Sequence, residues 1–89
     1  MKAIVTVVGK DQVGIIAAVC VKLAEYNINV LDISQTVMQG YFTMMMAVDT
    51  TLSEIPFVEL AKKLDAKGEE MGMSIRLQRE DIFEAMHRV

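Results

Sequence analysis

Few side chains in this sequence have a chemistry of their own. His87 is the sole histidine and Cys20 the sole cysteine. Nucleophilic catalysis needs a thiol or hydroxyl with a base within hydrogen-bond reach. Cys20 sits in the apolar stretch "IIAAVCV" and reads as a small buried hydrophobe. His87 belongs to the C-terminal tail. No nucleophile and base are paired, so the chain is expected not to be an enzyme. The run Met44 to Met46 offers soft sulfur ligands, but neighbours on a strand point to opposite faces and cannot converge on a metal. They read as core filling, and neither a metal nor another cofactor is expected. "GKDQVG", Gly9 to Gly14, has glycines but not the spacing of a phosphate loop. Asp11 within it is a good N-cap residue at the entrance to a helical pattern.

The elements that must position these residues can be read from periodicity. Lys2 to Val8 is apolar and β-branched on both alternations, the pattern of an interior strand buried on both faces. Gly14 to Tyr26 has helical composition and stops at "NIN", with Asn27 as the break. "VLDISQTVMQ", Val30 to Gln39, mixes branched apolar and polar residues as an edge strand wet on one side does. Gln39-Gly40 is a two-residue turn into "YFTMMMAVD", an interior strand, and glycine supplies the positive φ such a turn requires. "TTLSEIPF" opens a second helix with Ser or Thr as cap and Pro56 in its first turns, and Gly72 closes it. Met73 to Gln78 alternates as a second edge strand. In "REDIFEAMHRV", Ile82, Phe83 and Met86 are spaced for a short amphipathic helix.

The order β-α-β-β-α-β is the ferredoxin-like arrangement of the α+β class. Right-handed crossovers and the hairpin then set the sheet order 2-3-1-4, with two helices on one face and a short C-terminal helix beyond. The expected division is a ferredoxin-fold domain over residues 1–79 and a helical tail over 80–89.

Composition narrows the partners. A chain of 89 residues makes one small domain, and 53% hydrophobic residues exclude disorder. The net charge is −3 and its lysines and arginines are scattered, so no basic stripe awaits a phosphate backbone, and no aromatic in the first strand could stack on a base. Nucleic acid is not an expected partner. No apolar run is long enough to span a bilayer, and "MKAIVTVVG" is too short for a secretory core and lacks a cleavage site. With one cysteine and so no disulfide framework, a cytoplasmic location without membrane attachment is expected.

The first helix has too few charges. At about 100° per residue, Lys22, Glu25 and Ala18 share a narrow wedge while Ile15, Ile16, Val19, Cys20, Val21, Leu23 and Ala24 spread over the rest. The second helix has a single apolar stripe of Phe57, Leu60, Ala61, Leu64 and Met71 backed by charges. One sheet cannot cover the apolar arc of the first, which points to a protein partner, most simply a second copy in a homodimer. The alternative is that the tail and long side chains lie over this flank.

"VTVVGKDQVGIIAAVCVKLAEYNINVLDIS" resembles the opening of an ACT domain, with D-x-x-G at Asp11 to Gly14 after a strand and N-I-N-V one helix later. The likeness covers residues 1 to about 79 and is nearest to stand-alone single-ACT proteins of the glycine-cleavage-repressor type. The resemblance implies a ligand, an amino acid or related metabolite, held between two domains. Asp11 would hold its ammonium, the backbone N–H groups of Gln12, Val13 and Gly14 its carboxylate, and the side-chain amide of Asn29 would reach across the interface. Gly14 would allow close approach. Two positions depart from the pattern: Gly9 stands where some members place a side-chain ligand, and Val13 replaces a frequent proline. Asp11 as a mere cap, Gly14 as a packing contact and Asn27 or Asn29 as a helix stop are the structural alternatives.

The sequence thus leads to a regulatory small-molecule-binding module, dimeric, that could change its association with a partner protein. The other reading is a ligand-free interaction module whose dimer scaffolds a partner.

Overall fold

The computed structural model describes residues 1–81. They form β1 (Lys2–Lys10), α1 (Ile15–Glu25), β2 (Asn29–Met38), β3 (Tyr41–Asp49), α2 (Phe57–Met71) and β4 (Ser74–Arg79). The strands make one antiparallel sheet in the order β2-β3-β1-β4. This is the ferredoxin-like topology, with the most apolar strands, β1 and β3, in the middle. Glu80 and Asp81 have helical backbone, and the rest of the expected C-terminal helix lies outside the described residues.

The core is one layer between the sheet and the helices. Ala3, Val5 and Val7 of β1, Phe42, Met44, Met46 and Val48 of β3, and Ile75 and Leu77 of β4 all point to it and are buried. Each helix answers with a row at i, i+4 and i+8: Ile15, Val19 and Leu23 on α1, Leu60, Leu64 and Gly68 on α2. Burying each large apolar side chain contributes about 1.5 to 3 kcal/mol. Met44 and Met46 are fully buried while Met45 is 36% exposed on the other side of the sheet, so the three methionines diverge. Gly68 belongs to the core because α2 comes so close to β4 there: a Cβ would stand 2.7 Å from the Met73 carbonyl oxygen.

Both helices end on the same device. Asn27 at φ 57° and Gly72 at φ 72° turn the chain left-handed. The N–H of Ile28 bonds the Leu23 carbonyl at 2.9 Å and that of Met73 bonds the Gly68 carbonyl at 2.8 Å, satisfying carbonyls the helix leaves open. The Gln39-Gly40 turn has φ 51° and 81°, the doubly positive pair whose twist suits a hairpin.

Four expectations need correction. β1 is buried on one face only: Ile4 and Thr6 are half-buried and Val8 is 41% exposed, because both helices pack on the same side of the sheet. β2 is wet on both faces, with every residue from Leu31 to Met38 exposed; the helix layer stops short of this edge. α2 starts at Phe57 behind Pro56 and carries no side-chain cap, while the Ser53 hydroxyl accepts from the Ile55 N–H in the preceding turn. β4 begins at Ser74, since Met73 belongs to the helix-ending turn.

Candidate functional site

The loop between β1 and α1 is held at three points. The Asp11 N–H donates to the carbonyl of Gly40 in the β2–β3 turn at 2.8 Å. The Gln12 Nε2 donates to the Met71 carbonyl at 3.0 Å, an oxygen that the end of α2 would otherwise leave to water. Gly14 then enters α1 at φ 84°, a left-handed conformation that glycine adopts without steric cost. Asp11, Gln12, Val13 and Gly14 are all exposed, and Val13 projects wholly into solvent.

This geometry corrects the capping alternative. The N-cap of α1 is Gly14, not Asp11, and no side chain caps the helix. The Asp11 carboxylate is therefore not engaged with the first turn of α1, and the first N–H groups of the helix have no side-chain acceptor. An uncapped N-terminus carries a partial positive charge suited to a carboxylate, with the Asp11 side chain nearby as a negative group. The Gln12 side-chain amide nitrogen is committed to α2.

Gly9 has a partner reason for being small. A Cβ there would lie 2.9 Å from the Cγ and Cε of Met73. Met73 fills the space that a side chain at position 9 would occupy.

Asn29 does not join the other site residues within one chain. It stands across from Asp49, which pairs with Lys2, whereas the loop follows Lys10 and its partner Tyr41 at the far end of β1. At about 3.3 Å per residue the two ends are about 26 Å apart. The structure thus brings Asp11 to Gly14 together and sets Asn29 at the opposite end of the sheet.

An apolar surface missed by the sequence reading runs along β2. Ile33, 45% exposed, and Val37, 55% exposed, lie opposite the buried Met46 and Phe42 and so share the helix side of the sheet. On α1, Lys22 and Tyr26 face Lys63, Ala66 and Lys67 of α2 across a cleft. The other flank of α1, with Ile16 38% exposed and Cys20 half-buried, consequently turns toward the β2 edge. The excess apolar arc of α1 continues onto an edge strand that has no strand on its outer side among the described residues. Val21, 57% exposed, is on the helix's outer side. The sequence signal existed in Leu31, Ile33 and Val37, but alternation with polar residues read as one covered face.

Among the described residues, two charged groups are shifted from their ordinary range. Hydrogen bonds from Thr51, then the N-terminal ammonium at 3.4 Å, hold the Asp49 carboxyl below the usual carboxylate range. The Glu25 carboxylate at 3.2 Å raises Lys22. Neither lies at the Asp11 loop.

A four-stranded ferredoxin-like sheet with an uncapped first helix behind a D-x-x-G loop is the architecture of a small ACT-type domain. The chain belongs to the ACT domain family, whose model matches residues 2–78; such domains are in general regulatory modules that bind small ligands. It is 56% identical to a UPF0237 protein of Clostridium acetobutylicum, with 100% of both chains covered. The structure of an ACT domain protein from Streptococcus pneumoniae superposes with a TM-score of 0.83 at 47% identity, over 98% of each chain. A formyltetrahydrofolate deformylase of Pseudomonas syringae shares the fold alone, at 22% identity and TM-score 0.79, with 88% of this chain matching 27% of that one.

Proposed function

We propose that this protein is a cytoplasmic, non-catalytic sensor that binds an amino acid or related metabolite between two copies of itself. The observation that carries this reading is the uncapped start of α1 behind Asp11. Backbone N–H groups for a carboxylate and a side-chain carboxylate for an ammonium stand on one short loop, the two charges of a zwitterion.

The second copy supplies what one chain lacks. If β2 pairs antiparallel with its counterpart about a two-fold axis at Ser34, and the bulge between Val30 and Asp32 leaves one residue unpaired, the partner's Asn29 falls opposite Met38 on the same face of the sheet. Met38 ends β2 beside the turn whose Gly40 carbonyl holds the Asp11 N–H. The amide of the partner's Asn29 is then carried to the end of the sheet where the Asp11 loop lies. The same pairing covers Ile33, Val37 and Ile16 and closes an otherwise open strand edge. A change in ligand occupancy would alter this interface and hence the surface offered to a partner protein.

Thermal shift against the amino acids and their simple derivatives tests the reading. A ligand at a hundred times its dissociation constant adds about 2.7 kcal/mol of stability. The reading predicts a stabilising ligand whose effect is lost in a variant that cannot dimerise. If no metabolite stabilises the dimer, the ligand-free scaffold replaces it, a role the fully exposed Val13 at the loop tip would suit.

A further inference from the structure

Cations converge on the cleft between the two helices, in a chain whose net charge is −3. Lys22 and Tyr26 of α1 and Lys63, Ala66, Lys67 and Glu70 of α2 line a cavity of about 220 Å³ there. Lys22 Nζ lies 3.2 Å from the Glu25 carboxylate and Lys67 Nζ 3.4 Å from that of Glu70, each pair within its own helix. Lys63 has no ion pair among the described residues, and none of their ion pairs bridges the two helices. The Lys67 side chain is 19% exposed and its Glu70 partner 72%, so the cation is tucked between the helices while its carboxylate stands largely in solvent. The field of Glu70 also reaches Lys22 on the facing helix, so the charges of both helices share one space.

We propose that this cleft is a second ligand site, separate from the Asp11 loop, and takes a phosphoryl group. Three ammonium groups less the two carboxylates of Glu25 and Glu70 leave one positive charge uncompensated. A phosphate monoester brings about −1.5 to −2 charge and three strong acceptor oxygens. It therefore outcompetes the single charge of Glu70 for Lys67 and reaches Lys63 and Lys22 with its other oxygens. Lysine serves phosphate as a point charge, and the Tyr26 hydroxyl is a further donor. At about 30 Å³ per water the cavity equals about seven waters, room for a phosphoryl group and a small carrier. Glu70 precedes Met71, whose carbonyl holds the Gln12 side chain, so an anion that displaces Glu70 acts one residue from the bond that anchors the Asp11 loop.

Amide NMR shifts of the full chain, titrated with inorganic phosphate and with glycerol phosphate at constant ionic strength, test this. Saturable shifts are expected at residues 22–26 and 63–70. Tighter binding of the ester makes a phosphorylated metabolite the source of the group, and tighter binding of phosphate makes it the free ion. Lys63→Gln and Lys67→Gln should each weaken binding about three- to five-fold, and Glu70→Gln, which removes the competing carboxylate, should tighten it. Lys62→Gln removes the same charge from the side of α2 that faces β4 and should change nothing, with circular dichroism confirming the fold of every variant. The absence of saturable shifts overturns the proposal, as do equal shifts from acetate. So does a loss in Lys62→Gln as large as in Lys63→Gln, which would mean diffuse attraction, or shifts confined to residues 12–15, which would put the anion at the start of α1.

Discussion

The side-chain amide of Gln12 donates to the Met71 carbonyl at 3.0 Å across 59 residues of sequence, tying the β1–α1 loop to the last turn of α2. This bond and the one from the Asp11 N–H to Gly40 hold the start of the loop, while its end is held by the Ala18 N–H of α1 on the Gly14 carbonyl at 2.9 Å. Gln12→Ala should therefore loosen residues 11–14 while costing the fold little, about 0.5 to 1.5 kcal/mol. Hydrogen exchange should quicken in the loop and not in β1, with Tm lowered by about 2 to 10 °C. Equal exchange in the two proteins would mean that the bond does not hold the loop.

Asp11→Asn separates ligand contact from structure. The helix is capped by Gly14 and not by Asp11, so the substitution should leave Tm in place. If the carboxylate meets an ammonium, the lost charge-assisted contact is worth about 1.5 to 3 kcal/mol, ten-fold or more in affinity by calorimetry. Unchanged affinity would move the ammonium elsewhere.

Ile33→Lys places a charge on the apolar edge surface. Ile33 is 45% exposed in the single chain, so the fold should survive and the proposed dimer should dissociate, as read by sedimentation velocity. Val21→Lys, on the outer side of α1, should leave the dimer intact. If Val21→Lys dissociates it and Ile33→Lys does not, the helix rather than the strand edge carries the contact.

Gly68→Ala tests the close approach of α2 to β4 by its sign. In an open helix this change stabilises by about 1 kcal/mol. Here the new methyl would meet the Met73 carbonyl at 2.7 Å and the Ile75 nitrogen at 3.0 Å, and a loss of about 1 to 3 kcal/mol is expected in urea unfolding.

Asp49 links stability to acid. Its carboxyl is held low by Thr51 and the N-terminal ammonium, so in the folded state it favours the charged form. That contribution is full above the ordinary carboxylate range and is lost as pH falls through the lowered folded value. Asp49→Asn should lower Tm slightly at neutral pH and make no difference in strong acid. A Tm difference independent of pH would exclude the charge as its cause.

Element order, strand order and helix ends were all written locally. The unbroken apolar character of Lys2 to Val8 placed β1 inside the sheet, the Gln39-Gly40 pair set the hairpin, and Asn27 and Gly72 ended the helices, because each depends on the conformation of a few adjacent residues. The D-x-x-G stretch was equally plain as a candidate. What tertiary structure alone decided was which surfaces are covered. Alternation says that residues four and six point one way and five and seven the other, yet only the stacking of helices on one side buries Val5 and Val7 and leaves Ile4 and Thr6 half-open. It also took Asp11 off the helix it precedes, since Gly40 and Met71, distant in sequence, pull the loop outward. The separation of Asn29 from Asp11 and the need for a glycine at position 68 arise likewise from where one element passes another, a distance that no local pattern encodes.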